Sequence, residues 1–252
     1  DQVVHGKIFR ILKEDGFSGE RGSHVLIHLH GAIAARRVLV VGLGKREELD
    51  EEAIRQAAAV SMNVARTLKV KHMASVLNGA GAGKISARLS AKAMVEGFRL
   101  AAYQFDAHKS EKKPLALKTC MIMTHHAVTV RQAITGAALG ELSASGTIVA
   151  RDLVNEPPAS MRPETLVQKA RDIAKSQKGR VSIRVFDRAG LERLGAGGLL
   201  AVAQGSEAEP YLVHLIYKPK NAKKRIALVG KAITFDSGGL SIKPWDGMLT
   251  MK

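Results

Sequence analysis

Cysteine is almost missing from this chain. The single one, Cys120, leaves no partner for an intrachain disulfide. That usage fits a reducing compartment, most simply the cytoplasm. Cys120 lies in the apolar run 117–123 and reads as a small buried hydrophobe. Aromatic residues are scarce at 4%, so the core must be built from aliphatic side chains and alanine. No apolar run reads as long enough to span a bilayer and no signal-peptide pattern opens the chain, so no membrane partner is expected. Acidic residues are also few. Against 39 Lys and Arg stand 23 Asp and Glu, a net charge of +16. Such an excess attracts polyanions, nucleic acid included. Its densest stretches, residues 109–113 and 218–225, flank apolar runs and read as solvated surface.

What remains is an ordinary globular composition of 252 residues with 46% hydrophobic content, enough for one large core or two modest ones. Residues 1–4 read as mid-strand sequence. Residues 24–30 alternate, with Val25, Ile27 and Leu29 on one face and His24, His28 and His30 on the other. Residues 37–42 read as a buried strand running into a turn. Helical spacing follows at Ile54, Ala57, Ala58, Ser61, Ala65 and Leu68. A strand over 70–77, a helix over 86–103 and a strand over 117–123 come next. A long helix is predicted over 130–154, ended by the two prolines at 157 and 158. Beyond it lie a helix from Pro163 and strands over 181–186, 211–217 and 225–229. The alternation argues for an α/β layered fold in two domains, with the boundary on or near the long helix.

Several motifs fail on inspection. Gly42-Leu43-Gly44 follows a strand, but the third glycine of a dinucleotide fingerprint would fall at Glu47. A phosphate loop ending at Lys84 would need glycine at Asn78 and a hydroxyl at Ile85. Ser237 lacks the glycine two residues before it that a nucleophile elbow requires, since Phe235 is there. The histidines at 24, 28 and 30 share a strand face, yet no second cluster completes a metal site beyond the pair at 125 and 126. They read as solvent-facing.

Chemistry concentrates in residues 225–252. An apolar strand ends in Gly230-Lys231, followed by Asp236, Gly238-Gly239 and Lys243-Pro244. Ligands of open α/β sheets bind at the carboxyl ends of strands. A lysine placed there is expected to be partly buried, which favours the neutral amine that can bind a metal. A carboxylate can bridge two cations, and a charged lysine can stabilise a developing oxyanion. A plain salt bridge would account for Lys231 and Asp236 equally well.

Residues 229–244, VGKAITFDSGGLSIKP, resemble the metal-site signature of the leucyl (cytosol) aminopeptidase family. The likeness extends to residues 37–45 (RVLVVGLGK), 96–106 (EGFRLAAYQFD), 150–158 (ARDLVNEPP) and 198–206 (GLLAVAQGS), and so over nearly the whole chain. It implies a macrodomain-like N-terminal α/β domain over 1–129, a linking helix and turn over 130–158, and the beginning of an α/β metallo-exopeptidase catalytic domain over 159–252. It further implies that Lys231 binds one metal and Asp236 bridges two. Lys243 would be the catalytic lysine facing the scissile carbonyl, and Met251 would line the pocket for the first side chain. The ions would be Mn²⁺, Zn²⁺ or Mg²⁺, the substrates peptides with leucine-like N-termini, and the assembly a cytoplasmic homohexamer.

Three departures stand out. Ala232 replaces the family's usual glycine, and Trp245-Asp246 replaces small residues after Lys-Pro. The remaining metal ligands of the family pattern fall beyond Lys252, and the family's opening strand falls before Asp1. The 252 residues alone are therefore expected to be inactive. Two other readings compete: a basic homologue that binds DNA without catalysis, and a ligand-binding macrodomain-like module. Steep salt dependence of DNA binding would favour the former. The absence of a convincing phosphate loop counts against the latter.

Overall fold

The structure, a computed structural model, describes residues 4–81, 85–125 and 127–250. It divides into two compact units, Asp1–Ala150 and Arg151–Lys252, with the division inside the long helix.

The first unit opens with helix α1 (Lys7–Glu14), whose Ile8, Ile11 and Leu12 pack on a small core of Val4, Ile27 and Leu29. Val4 lies in no strand, and the rest of the predicted opening strand falls outside the described residues. Strands β1 (His24–His28) and β2 (Arg37–Val41) pair antiparallel, His24 opposite Val41 and His28 opposite Arg37. The alternation read from the sequence is the alternation of burial, since Ile27 and Leu29 are buried while His24, His28 and His30 are exposed. At the end of β2 the Gly42 N–H donates to Ser23 O at 2.8 Å, and a Cβ on Gly42 would overlap the Glu20 carbonyl. Gly42-Leu43-Gly44 is thus a turn whose first glycine packs against neighbouring backbone.

A larger core forms around two helices. Asp50 caps α2 (Glu51–Thr67) by accepting from the Ala53 N–H at 2.7 Å, and Glu51 and Glu52 follow in the first turn, where the helix dipole favours them. Ser86 caps α3 (Ala87–Ala102) by accepting from the Leu89 N–H. Alanines and Gly97 let the two helices approach closely, because a Cβ on Gly97 would overlap the Arg55 carbonyl. Ile54, Ala58, Met62, Met94 and Phe98 fill the seam. Helix α3 is the crossover between the parallel strands β3 (His72–Val76) and β4 (Thr119–Met123), as parallel pairing requires.

Helix α4 (Ala127–Asn155) has 29 residues and buries Gly136, Gly140 and Ala144 at i, i+4 and i+8. A Cβ at Gly136 would overlap the Arg88 carbonyl of α3, so the stripe of small residues is what seats α4 there. Contrary to the sequence expectation, α4 is long and apolar enough to cross a membrane by length and composition. Cys120 also departs from expectation. It faces outward enough to be exposed, although its partly desolvated thiol is pushed up to about 11. Two strands alone do not cover it.

In the second unit, α5 (Pro163–Ser176) starts with proline at its first turn. Strands β5 (Val181–Phe186) and β6 (Leu212–Tyr217) pair antiparallel, with α6 (Arg188–Arg193) and α7 (Gly197–Ala203) between them and a short α8 (Trp245–Met248) at the end. The expected buried strand over 225–229 is absent. Those residues carry no regular structure, and Leu228 and Val229 are 95% and 97% exposed. A strand is stabilised by its ladder and by what covers its faces, and no described residue supplies either.

Candidate metal centre

The candidate residues lie just past this unpaired segment, in a loop that folds back on itself. Asp236 begins the fold. Its Oδ1 accepts from the Gly238 N–H at 2.9 Å, the two-residue closure typical of an Asx-turn. Gly238 has φ +93° and a Cβ there would overlap the Ser241 carbonyl, so glycine is required on both counts. The Lys243 N–H then donates to Ser237 O at 2.8 Å. That return brings the Lys243 side chain over Asp236. Its Nζ lies 3.1 Å from Oδ2 and also donates to the Asp236 carbonyl.

The Asp236 carboxyl is held below the usual carboxylate range. The largest cause is the Gly238 N–H, followed by the hydrogen bond and charge of Lys243, with the charge of Lys231 contributing least. It is therefore a preformed anion on an exposed loop.

Asp236 and Lys243 are thus brought together. Lys231 is not: it makes no ion pair with Asp236 and is exposed, whereas the sequence predicted a partly buried lysine. The expectation relied on a docked strand over 225–229, and the strand's absence removes the walls that would bury Lys231. Met251 lies outside the described residues, as do positions 82–84 of the glycine loop and 126 of the histidine pair. No group of three or more His, Cys, Asp and Glu that could hold a metal exists among the described residues. The rings of His28 and His30 stand 6.0 Å apart at the surface. As a test of a two-metal centre, the donor set is chemically suitable but partial. Asp236 offers an anionic oxygen pair, already engaged by Lys243 and Gly238, and Lys231 offers a solvent-facing amine.

The Asp236–Lys243 pair itself escaped the sequence reading. Its signal was the Asp-Ser-Gly-Gly run, whose Asx-turn and left-handed glycines reverse the chain within seven residues.

Residues 1–112 match the sequence profile described as the cytosol aminopeptidase family, N-terminal domain. Residues 148–252, which hold the whole candidate site, match the profile of that family's catalytic domain. A probable cytosol aminopeptidase of Alkaliphilus metalliredigens is 36% identical over 256 residues, covering 100% of this chain and 51% of the relative. One from Roseiflexus castenholzii is 38% identical over 245 residues, covering 96% and 49%. Among solved structures, a mutant of tomato leucine aminopeptidase superposes with TM-score 0.81 at 27% identity, covering 94% of this chain and 46% of that one. The bottromycin maturation enzyme BotP in complex with Mn gives TM-score 0.78 at 32% identity, covering 94% and 48%. The chain spans about half the length of the curated relatives it matches.

Proposed function

This chain belongs to the cytosol aminopeptidase family, and on that premise we propose that the intact protein releases leucine-like N-terminal residues from peptides with two divalent metal ions. One observation carries the reading. A carboxylate is held ionised on a loop that also supplies two lysines, inside the residues matched by the catalytic-domain profile. Mn²⁺ heads the candidate ions because BotP was solved with Mn; Zn²⁺ and Mg²⁺ suit the same oxygen and nitrogen donors. A cytoplasmic homohexamer is part of the same family-based reading.

Asp236 would hold both ions and Lys231 one of them. When bound, the ions supply Lewis-acid polarisation of the scissile carbonyl and an activated water. Lys243 would face that carbonyl and stabilise the oxyanion as charge develops. To do so its ammonium must leave Asp236, which it now grips at 3.1 Å. Met251 would line the pocket for the first side chain.

The test is hydrolysis of leucine p-nitroanilide by the intact protein with and without Mn²⁺. Turnover should require the metal. Lys243→Ala should lower kcat by roughly 10²- to 10³-fold, the cost of losing one oxyanion donor, while bound metal stays near wild type. Unchanged turnover in that variant would refute the role given to Lys243. The 252 residues alone should show no metal-dependent turnover, because two ligands do not close a two-metal site.

A further inference from the structure

A cavity in the first unit is lined by none of the candidate metal ligands. Its volume is about 740 Å³, within the range of small-molecule sites. It opens between the end of α2 and the segment that joins α3 to β4. Four cations line it, Arg66 and Lys69 from the helix end and Lys109 and Lys113 from the connecting segment. Asp106 and Glu111 are the acids on its wall, so cations outnumber acids two to one. Arg66 donates to Asn63 Oδ1, and among the described residues none of the four cations forms a salt bridge.

The walls are anchored at their ends. Leu115 and Leu117 pack against the main core and anchor the far end of the connecting segment just past Lys113 and Pro114. The Lys109 N–H closes a turn on Asp106 O at 3.1 Å, and the rings of Phe105 and His108 meet at 5.9 Å. On the helix side, Val70 N–H donates to Ala65 O at 2.9 Å and Lys69 N–H to Arg66 O at 3.0 Å. This turn places Lys69 at φ +51°, a position where glycine is the usual residue. A lysine there carries a backbone cost that glycine would avoid. Cations near a helix C-terminus do favour its dipole, which accounts for Arg66 and Lys69. That explanation does not reach Lys109 and Lys113, which come from another part of the chain to the same cavity.

We infer that this cavity of the first unit binds a compact polyanion carrying two or more phosphate groups. Phosphate offers the charge density and acceptor oxygens that four converging cations can satisfy together. A half-open volume of about 740 Å³ is on the scale of a small ligand.

The test titrates tripolyphosphate into the intact protein by calorimetry, with a duplex DNA fragment as the parallel arm. One molecule of tripolyphosphate should bind per chain, and binding should weaken with salt. Lys113→Ala and Lys69→Gly should each weaken it roughly tenfold, the loss of one charge-assisted contact. Lys69→Gly should do so without lowering Tm, since glycine relieves the positive φ. A fall in Tm with tripolyphosphate affinity unchanged would make Lys69 a helix-end residue only and overturn the inference. Equal binding by wild type and both variants would reduce it to the general attraction of a +16 chain. DNA binding lost in these variants, with no tripolyphosphate binding at all, would replace the compact ligand by a strand and likewise overturn it.

Discussion

Two carboxylates, one in each unit, are held below their ordinary pKa by different means. Glu96 in α3 is 4% exposed. Burial pushes its pKa up, but hydrogen bonds from Arg55, Lys92 and Ser143 more than offset that. Arg55 reaches it from α2 at 2.7 Å, and Lys92 reaches it from one turn away at 3.0 Å. Asp236 is exposed, and a backbone N–H with one lysine suffices to keep it ionised. The difference separates a structural anion from an available one. Glu96 joins α2 to α3 and its partners cannot leave without stranding a buried charge. Asp236 can exchange its lysine for another cation at little cost, because water is already there.

The contrast is sharpest in stability. Glu96→Ala should cost about 1–3 kcal/mol in urea unfolding, because Arg55 and Lys92 lose their shared buried acceptor while Arg55 keeps Glu52. Asp236→Asn should leave the midpoint where it was. Comparable losses in both would erase the distinction. The pH dependence follows with its sign. Glu96 has a lowered folded pKa, so its contribution is fully present above the unfolded carboxyl value near 4.5 and is lost as pH falls through the folded value. Glu96→Gln should flatten that acid limb.

A comparable effect concerns how the first unit is closed. Gly136→Ala puts a methyl into the Arg88 carbonyl and should cost about 1–3 kcal/mol as α4 is pushed off α3. Gly146→Ala, with open space around its Cβ position, should not destabilise. The smallest effect is kinetic. Cys120 is exposed but its thiol is raised to about 11, so at pH 8 it should react with iodoacetamide more slowly than free cysteine. Reaction at the free-thiol rate would place it outside the packed side of β4.

Elements governed by local pattern were legible in the sequence. The spacing of Ile54, Ala57, Ala58 and Ala65 gave the buried face of α2, and the run 181–186 coincides with β5. The segment 225–229 carries an equally clear apolar pattern and yet forms no strand, since no described strand pairs with it. Burial of Lys231 was inferred from that strand and failed with it. The Asp236–Lys243 pair depends on two left-handed glycines, a conformational fact that residue order hints at without fixing. Lys113 was read as solvated surface and Lys69 was not singled out; only the tertiary fold brings them to one cavity.

The central claim is that Asp236 is a metal ligand and not merely the partner of Lys243. Its most direct test is the metal content of the intact protein, loaded with Mn²⁺ and desalted, for wild type and Asp236→Asn. The account predicts two ions per chain in the wild type and loss of both in the variant, since one carboxylate would bridge them, with an unchanged unfolding midpoint for the metal-free proteins. Equal metal content in the two proteins would contradict it and leave the Asp236–Lys243 pair as a surface salt bridge.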